Sequence, residues 1–474
     1  MNAPLEKHHV VVRLPTSVSR DNDANEPVYL EAKKGLNGLR VGSLAWASFF
    51  ARIVREAGLE SSVTEPCLYA GSVGGAPVVL ICYVDDVLVA TPKEASYKIV
   101  FDLLAKHVKI RETGRIPLSS AKNGSLRFLG RTISRKAGDA ALYLSVDPDY
   151  MDECFREFGI EKGSTTFPDI RPAIEETIEQ EPISAEAHAR FRRILGRLSW
   201  MCQTRLDLLV LVGLLSTGQA SPKPGHEKAL RMVLRYLITD MKVGQRFPTE
   251  GELPDYAETL LVYTDAGFAP MRSTNRRSIT GVCLVYRGVL LKAFSRHQGS
   301  VTLSSCEAEL SAGQEGIQEG LGLSRTVFQV LKALGLVQVT SLCLAWLTDS
   351  LSGKMILEAS DLQRRSRHVE IRICWLRELM AKGILECAHV PGTENPADAL
   401  TKCLALATFL KHRVLLGFAP LRAAAVPRES DGVQGRAFYT NGSDAAVFHE
   451  RCRLCRIHDN CRLRRIHGHI TMSA

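Results

Sequence analysis

Apolar and polar positions along the 474-residue chain divide it into four textures. From residue 1 to about 165, β-branched runs alternate with stretches of helical spacing, which predicts interleaved strands and helices. From about 182 to 245 apolar residues recur at helical intervals beside basic ones, as in Phe191-Arg192-Arg193-Ile194-Leu195 and Arg231-Met232-Val233-Leu234-Arg235-Tyr236-Leu237. Pro222, Pro224 and Gly225 break this region in its middle. Between about 257 and 412 short apolar strands return, with two amphipathic helices among them. Past about 413 the periodicity fades into an Ala/Arg/Gly/Ser-rich tail, expected to be disordered. The predicted divisions are 1–165, 166–250, 257–412 and 413–474, and the first 412 residues hold no long-range repeat.

Acids interrupt the apolar pattern in two places. Val78 to Ala90 reads as two short buried strands separated by Asp85 and Asp86. Two like charges in apolar surroundings need cations or donors to neutralise them. A solvent-exposed hairpin tip, where Asp-Asp makes an acceptable turn, is the other reading.

The second place is spread over four elements. The strands Leu260 to Tyr263 and Leu342 to Leu347 run into Asp265 and Asp349. Glu307 and Glu309 open a long helical pattern for which Ser304 or Ser305 is the expected N-cap. Asp398 lies in Asn395-Pro396-Ala397-Asp398-Ala399-Leu400-Thr401-Lys402, which follows a third strand (Ile384 to Val390) and is expected to start another helix. Each acid alone is an ordinary strand-end or helix-cap residue. Four of them on separate elements suggest a convergent site near strand ends.

Composition changes this picture little. The chain is 45% apolar and 23% charged, enough to build several cores and inconsistent with wholesale disorder. Its 60 Lys and Arg against 51 Asp and Glu give a net charge of +9, which suits a polyanion partner without requiring one. Nine Arg against five acids put nearly half of that excess in residues 421–474. Thirteen scattered cysteines and a polar N-terminus without an apolar signal region predict reduced thiols in an intracellular protein. The longest apolar stretch, Leu206 to Leu215, is too short to span a bilayer, so no membrane partner is expected. Cys452, Cys455, His458 and Cys461 have zinc-like composition, but their spacing leaves little loop to wrap an ion. A short duplication, Cys452 to His458 recurring as Cys461 to His467, explains them more simply.

Specific words in the sequence then carry a resemblance. Tyr83-Val84-Asp85-Asp86 resembles the catalytic hairpin of reverse transcriptases, specifically those of copia-type retrotransposon Pol polyproteins. Lys34 to Arg40 with Ala45-Trp46, Glu65 to Tyr69, Phe128-Leu129-Gly130 and Phe158-Gly159-Ile160 match the same family in the same order. So do Leu195 to Trp200, Thr204 to Asp207, and His226 with Arg235-Tyr236-Leu237. From about 257 to 412, Tyr263-Thr264-Asp265-Ala266, Arg277 to Gly281, Ser305 to Leu310, Thr348-Asp349-Ser350, Arg367 to Arg372 and Asn395 to Lys402 resemble the family's ribonuclease H domain. His368 is taken only as a marker of that motif.

The resemblance implies a multidomain α/β and α+β fold. It comprises a partial reverse-transcriptase palm with incomplete fingers (1–165), a helical thumb and connection (166–250), and a ribonuclease H-like domain (257–412) built on a five-stranded mixed sheet with flanking helices. It implies metal ligation and catalysis by Asp265, Glu309, Asp349 and Asp398, with the ligand at Glu309 rather than Glu307. Asp85 and Asp86 become a residual polymerase metal pair, with Tyr83 adjacent and Arg40 beside the nucleotide. The implied cofactor is two Mg²⁺ ions per active site. The implied partners are RNA–DNA hybrid, RNA template, DNA and other Pol or Gag products, in a cytoplasmic virus-like particle or the nucleus.

The chain departs from the family at two points. The family's third polymerase aspartate has no counterpart: Met1 to Leu5 resembles the residues that follow it, and Asp21 and Asp23 in a polar loop are poor substitutes. Val41 stands where the family usually carries a nucleotide-contacting glutamine. The expectation is ribonuclease H activity with little or no polymerase activity, unless a longer reading frame restores the aspartate. A noncatalytic nucleic-acid-binding remnant is the competing expectation.

Overall fold

The computed structural model describes residues 4, 10–13, 29–34, 39–117, 120–254, 258–337, 340–359 and 370–421. Strands β1 (Val11–Arg13) and β2 (Tyr29–Glu31) pair as a small antiparallel ribbon. After helix α1 (Arg40–Glu56) comes a four-stranded antiparallel sheet of β3 (Leu59–Ser61), β4 (Leu68–Val73), β5 (Ala76–Tyr83) and β6 (Asp86–Ala90), in that spatial order. Strand β5 alternates as a half-covered strand should, with Ala76, Val78, Leu80 and Cys82 buried. That face meets Phe50, Ile53 and Val54 of α1 and Val100 and Leu104 of α2 (Glu94–His107). Strand β6 is only partly buried, contrary to the expected buried pair, because it is the edge of the sheet.

A second sheet contains β7 (Gly124–Phe128), β8 (Arg131–Arg135), β9 (Leu142–Val146), β10 (Val243–Phe247) and β16 (Phe418–Pro420), ordered β16-β10-β9-β8-β7. Five helices fill the chain between β9 and β10: α3 (Asp152–Glu157), α4 (Arg171–Glu175), α5 (Ala185–Met201), α6 (Leu209–Ser216) and α7 (Pro224–Asp240). Ser184 caps α5 through the Ala187 amide, and Phe191, Ile194, Leu195 and Leu198 form its buried stripe. They share one core with Leu211 and Leu215 of α6 and Leu230, Val233, Leu234 and Leu237 of α7. Beneath that core the Arg205 guanidinium, 1% exposed, bonds Asp207 at 2.9 Å and Asp240 at 2.6 Å.

The third sheet has five strands in the order β13-β12-β11-β14-β15. They are β11 (Thr259–Gly267), β12 (Ile279–Tyr286), β13 (Val289–His297), β14 (Cys343–Thr348) and β15 (Leu385–His389). The first three are antiparallel neighbours, whereas β14 and β15 run parallel to β11. Parallel neighbours need crossovers. Helix α8 (Ser305–Ala333) makes the first, and α9 (Leu351–Glu358) with α10 (Glu370–Ala381) makes the second. This is the expected five-stranded mixed sheet with flanking helices. Helix α8 lies close against it because Gly313 has no side chain; a Cβ there would sit 2.2 Å from the Trp346 indole.

The structure also differs from the expected divisions. Residue 413 lies inside α11 (Leu406–Leu415), and the chain then pairs as β16 with β10. Residues 413–420 therefore belong to the fold, not to the tail. A three-residue strand is too short to show periodicity, and its only signature is its partner. Arg413 joins the buried ionic cluster, donating to Asp240 at 2.8 and 3.0 Å. Among the described residues no helix is long and apolar enough to cross a membrane.

Candidate metal centre

Adjacent parallel strands bring the first two acids together. Thr264 of β11 is in register with Thr348 of β14, so Asp265 and Asp349 follow side by side at the carboxyl ends of neighbouring strands. Asp265 is 1% exposed. The third acid comes from the first turns of α8. Ser304 caps the helix through the Glu307 amide at 3.1 Å, and Glu307 accepts in return from the Leu303 amide at 2.6 Å. Glu307 is thus used in capping. Two residues later the helix has turned by more than half a circle, and Glu309 faces the sheet. Its Oε1 accepts from the Ala266 amide at 3.2 Å.

Asp265, Glu309 and Asp349 each offer an oxygen, and these atoms all lie within 4.8 Å of one another. Among the described residues no other group of three or more acids, histidines or cysteines is arranged this closely. Asp398 stands beside the trio on a 3-10 turn (Pro396–Leu400), at the place where a helix was expected to start. Asn395 secures that turn: its Oδ1 accepts from the Ala397 amide at 3.1 Å and its Nδ2 donates to the Thr264 carbonyl at 2.9 Å. Gly281 makes room, since a Cβ there would meet Thr401 Cγ2 at 2.7 Å and the Ala397 carbonyl at 2.8 Å.

Three side chains absent from the expected site complete it. The Thr401 hydroxyl donates to Asp265 Oδ2. Lys402 Nζ lies 3.3 Å from Asp265 Oδ1 and also pairs with Asp398 Oδ1. His412, buried on α11, places Nε2 3.7 Å from Asp398 Oδ2. Lys402 follows Asp398 at helical i,i+4 spacing, a weak signal in the sequence. His412 had none.

The electrostatics fit a cation site. Burial, followed by the neighbouring Asp265 and Asp349, pushes the Glu309 carboxyl up to about 9. Burial also raises Asp265 to about 6, with Lys402 and Thr401 opposing the rise. Glu309 Oε2 is buried without a hydrogen-bond partner. Such an oxygen is costly unless something positive or protonated meets it. Glu309, Asp265 and Asp349 together form a hard-oxygen donor set that suits Mg²⁺ or Mn²⁺.

The Asp85–Asp86 pair sits in different surroundings. Tyr83 pairs with Asp86 at the end of the β5–β6 hairpin, and Tyr83 and Val84 are 55% and 42% exposed. Val84 holds φ +58°, a conformation that strains a β-branched residue by about 1–3 kcal/mol. Both aspartates are exposed, matching the turn geometry. Arg40 is the first residue of α1. Asp21, Asp23, His368 and the Cys452–Cys461 group lie outside the described residues.

No protein-family model matches the chain. Over 391 residues it is 26% identical to the "Retrovirus-related Pol polyprotein from transposon TNT 1-94" of Nicotiana tabacum, covering 81% of this chain and 28% of that one. Over 303 residues it is 25% identical to a transposon Ty5-1 protein of Saccharomyces cerevisiae, covering 63% of this chain and 92% of the relative. Among solved structures, LC11-RNase H1 isolated from compost aligns with 32% of this chain and 97% of its own, at 15% identity and a TM-score of 0.24. The chain thus spans little more than a quarter of the tobacco polyprotein.

Proposed function

We propose, for a chain that belongs to the copia-type retrotransposon Pol family, that the centre formed by Asp265, Glu309, Asp349 and Asp398 cleaves the RNA strand of RNA–DNA hybrids in Mg²⁺. The observation that carries this reading is the trio Asp265, Glu309 and Asp349, with one carboxylate oxygen of each within 4.8 Å of the others and Glu309 Oε2 buried without a partner.

Asp265, Glu309 and Asp349 would hold one divalent ion and Asp265 with Asp398 a second. Bound there, such ions supply an activated water and neutralise charge on the departing 3′ oxygen. The protein's own work is placement. Strand ends fix the two aspartates, the Thr401 hydroxyl orients Asp265, and the Ala266 amide orients Glu309. Burial of Asp265 and Glu309 keeps water from competing as ligand or screen. Recognition of the RNA strand would use 2′-hydroxyl contacts.

In the same reading Asp85 and Asp86 are a polymerase metal pair, with Tyr83 and Arg40 at the nucleotide. Val41, in place of the family's glutamine, leaves that activity weak. The test measures Mg²⁺-dependent cleavage of a labelled RNA–DNA hybrid by the 474-residue chain and by Asp265→Asn and Asp349→Asn, with a primed RNA template in the same buffer. Cleavage by the wild type, lost in both variants, and little primer extension are expected. Equal cleavage by all three proteins would overturn the assignment.

A further inference from the structure

We infer that Lys402 is a built-in counter-cation of the carboxylate centre, whose ammonium must leave Asp265 and Asp398 before the second divalent ion can be bound. This rests on the metal-centre reading above and adds an order of events to it.

The four acids are not equivalent. Among the described residues neither Glu309 nor Asp349 forms an ion pair, and Glu309 Oε2 is left without a partner. Towards Asp398 a cation is already in place. Lys402 Nζ lies 3.3 Å from Asp265 Oδ1 and pairs with Asp398 Oδ1, so one ammonium joins the two aspartates across the turn. Both oxygens of Asp265 are engaged, one by Lys402 and the other by Thr401. A cation shared by Asp265 and Asp398 would need the place that Nζ holds.

Lys402 is suited to a removable role. Its side chain is 42% exposed, against 2% for Asp265 and 14% for Asp398, so it reaches inwards from solvent and can return there. A lysine has a flexible four-carbon stem and a compact charge, and it can swing away without disturbing the backbone. The arrangement keeps two buried carboxylates compatible with folding before any metal arrives. The first divalent ion would enter on the Glu309–Asp349 side, where no ion pair to either acid among the described residues has to break. The second would bind more weakly, because its affinity is reduced by the ion pairs that must break.

The test titrates MnCl₂ into the full chain by calorimetry, comparing wild type, Lys402→Met, Lys402→Arg and Asp265→Asn. Removing the ammonium should tighten the weaker Mn²⁺ step about fivefold or more, and change the tighter step less. Lys402→Arg should keep the weaker step weak. Melting curves give a second readout: added MnCl₂ should raise the melting temperature further in Lys402→Met than in wild type. A weaker step of equal affinity in wild type and Lys402→Met, with binding abolished by Asp265→Asn, overturns the role of Lys402 and leaves the metal centre standing. Absence of Mn²⁺ binding in the wild type overturns the metal centre, and this inference with it.

Discussion

At the scale of single residues, the carboxylate centre stores repulsion that shows in its response to pH. The Glu309 carboxyl is raised from 4.5 to about 9 and Asp265 from 3.8 to about 6. Between those limits the folded chain holds protons that the unfolded chain has released, so stability falls as pH rises. The slope is about 1.4 kcal/mol per pH unit for each proton of difference. Melting in EDTA should therefore drop steadily between pH 5 and 9, and Glu309→Gln should flatten the drop above pH 6. A wild-type melting temperature that is constant over that range would contradict the burial of Glu309. The four acids could be read from the sequence because each ends an apolar strand or opens a capped turn. Choosing Glu309 over Glu307 needed the family resemblance, and the structure places the two on different sides of α8. Thr401 and His412 were not legible as site residues, and Lys402 only weakly, through its i,i+4 spacing from Asp398. Their roles come from which strand the turn at 396–400 leans on, and no local pattern encodes that.

At the scale of elements, α8 decides how near Glu309 comes to the strand ends. Its small residues are as informative as its acids: Gly313 meets the Trp346 indole, and Gly316 lies over Thr264. Trp346 in turn donates to Thr264 Oγ1 at 2.8 Å, one residue before Asp265. A Gly313→Val substitution should push the helix outward, costing about 1–3 kcal/mol and reducing hybrid cleavage more than the global stability loss explains. Urea unfolding together with the cleavage assay separates the two effects; unchanged cleavage would show that the helix position is not critical. The helix opened by Ser304 and the strands running into Asp265 and Asp349 were legible from their spacing. The small pieces were not. Strand β6 was expected to be buried and is an edge, the helix expected at Asp398 is a single 3-10 turn, and β16 was assigned to the tail. In each case too few residues repeat to reveal a period, and the partner element fixes the outcome.

At the scale of the whole molecule, the divisions drawn from sequence texture are crossed by the second sheet, which combines β7–β9, β10 and β16 from three of them. The crossing extends into the cores. Met271, Ile279, Cys403 and Phe409, all between 257 and 412, pack in the core of the helical region. Leu416 and Phe418 cover the far side of the third sheet together with Leu261, Leu347 and Leu400. Contacts also run to the first sheet, where Ser62 donates to Gln329 of α8 at 2.7 Å. A 257–412 fragment would expose Met271 and Phe409 and lack Arg413, Leu416 and Phe418. It should melt without a cooperative transition by calorimetry, whereas the full chain should show one. Cooperative melting of the fragment would establish it as an independent unit. Net charge says little at this scale: with nearly half of the +9 in residues 421–474, the remainder is only mildly basic, and the acids say more about chemistry.

The pairing of β16 with β10 also sets a timetable for synthesis. Val243 waits for Pro420, its partner in the register, so the ribosome must make more than one further domain's length of chain before the sheet can close. Until then β10 presents an open edge, able to bind whichever unpaired strand is nearest. A nascent chain stalled or terminated within that interval would leave the ribosome with a sheet lacking its border.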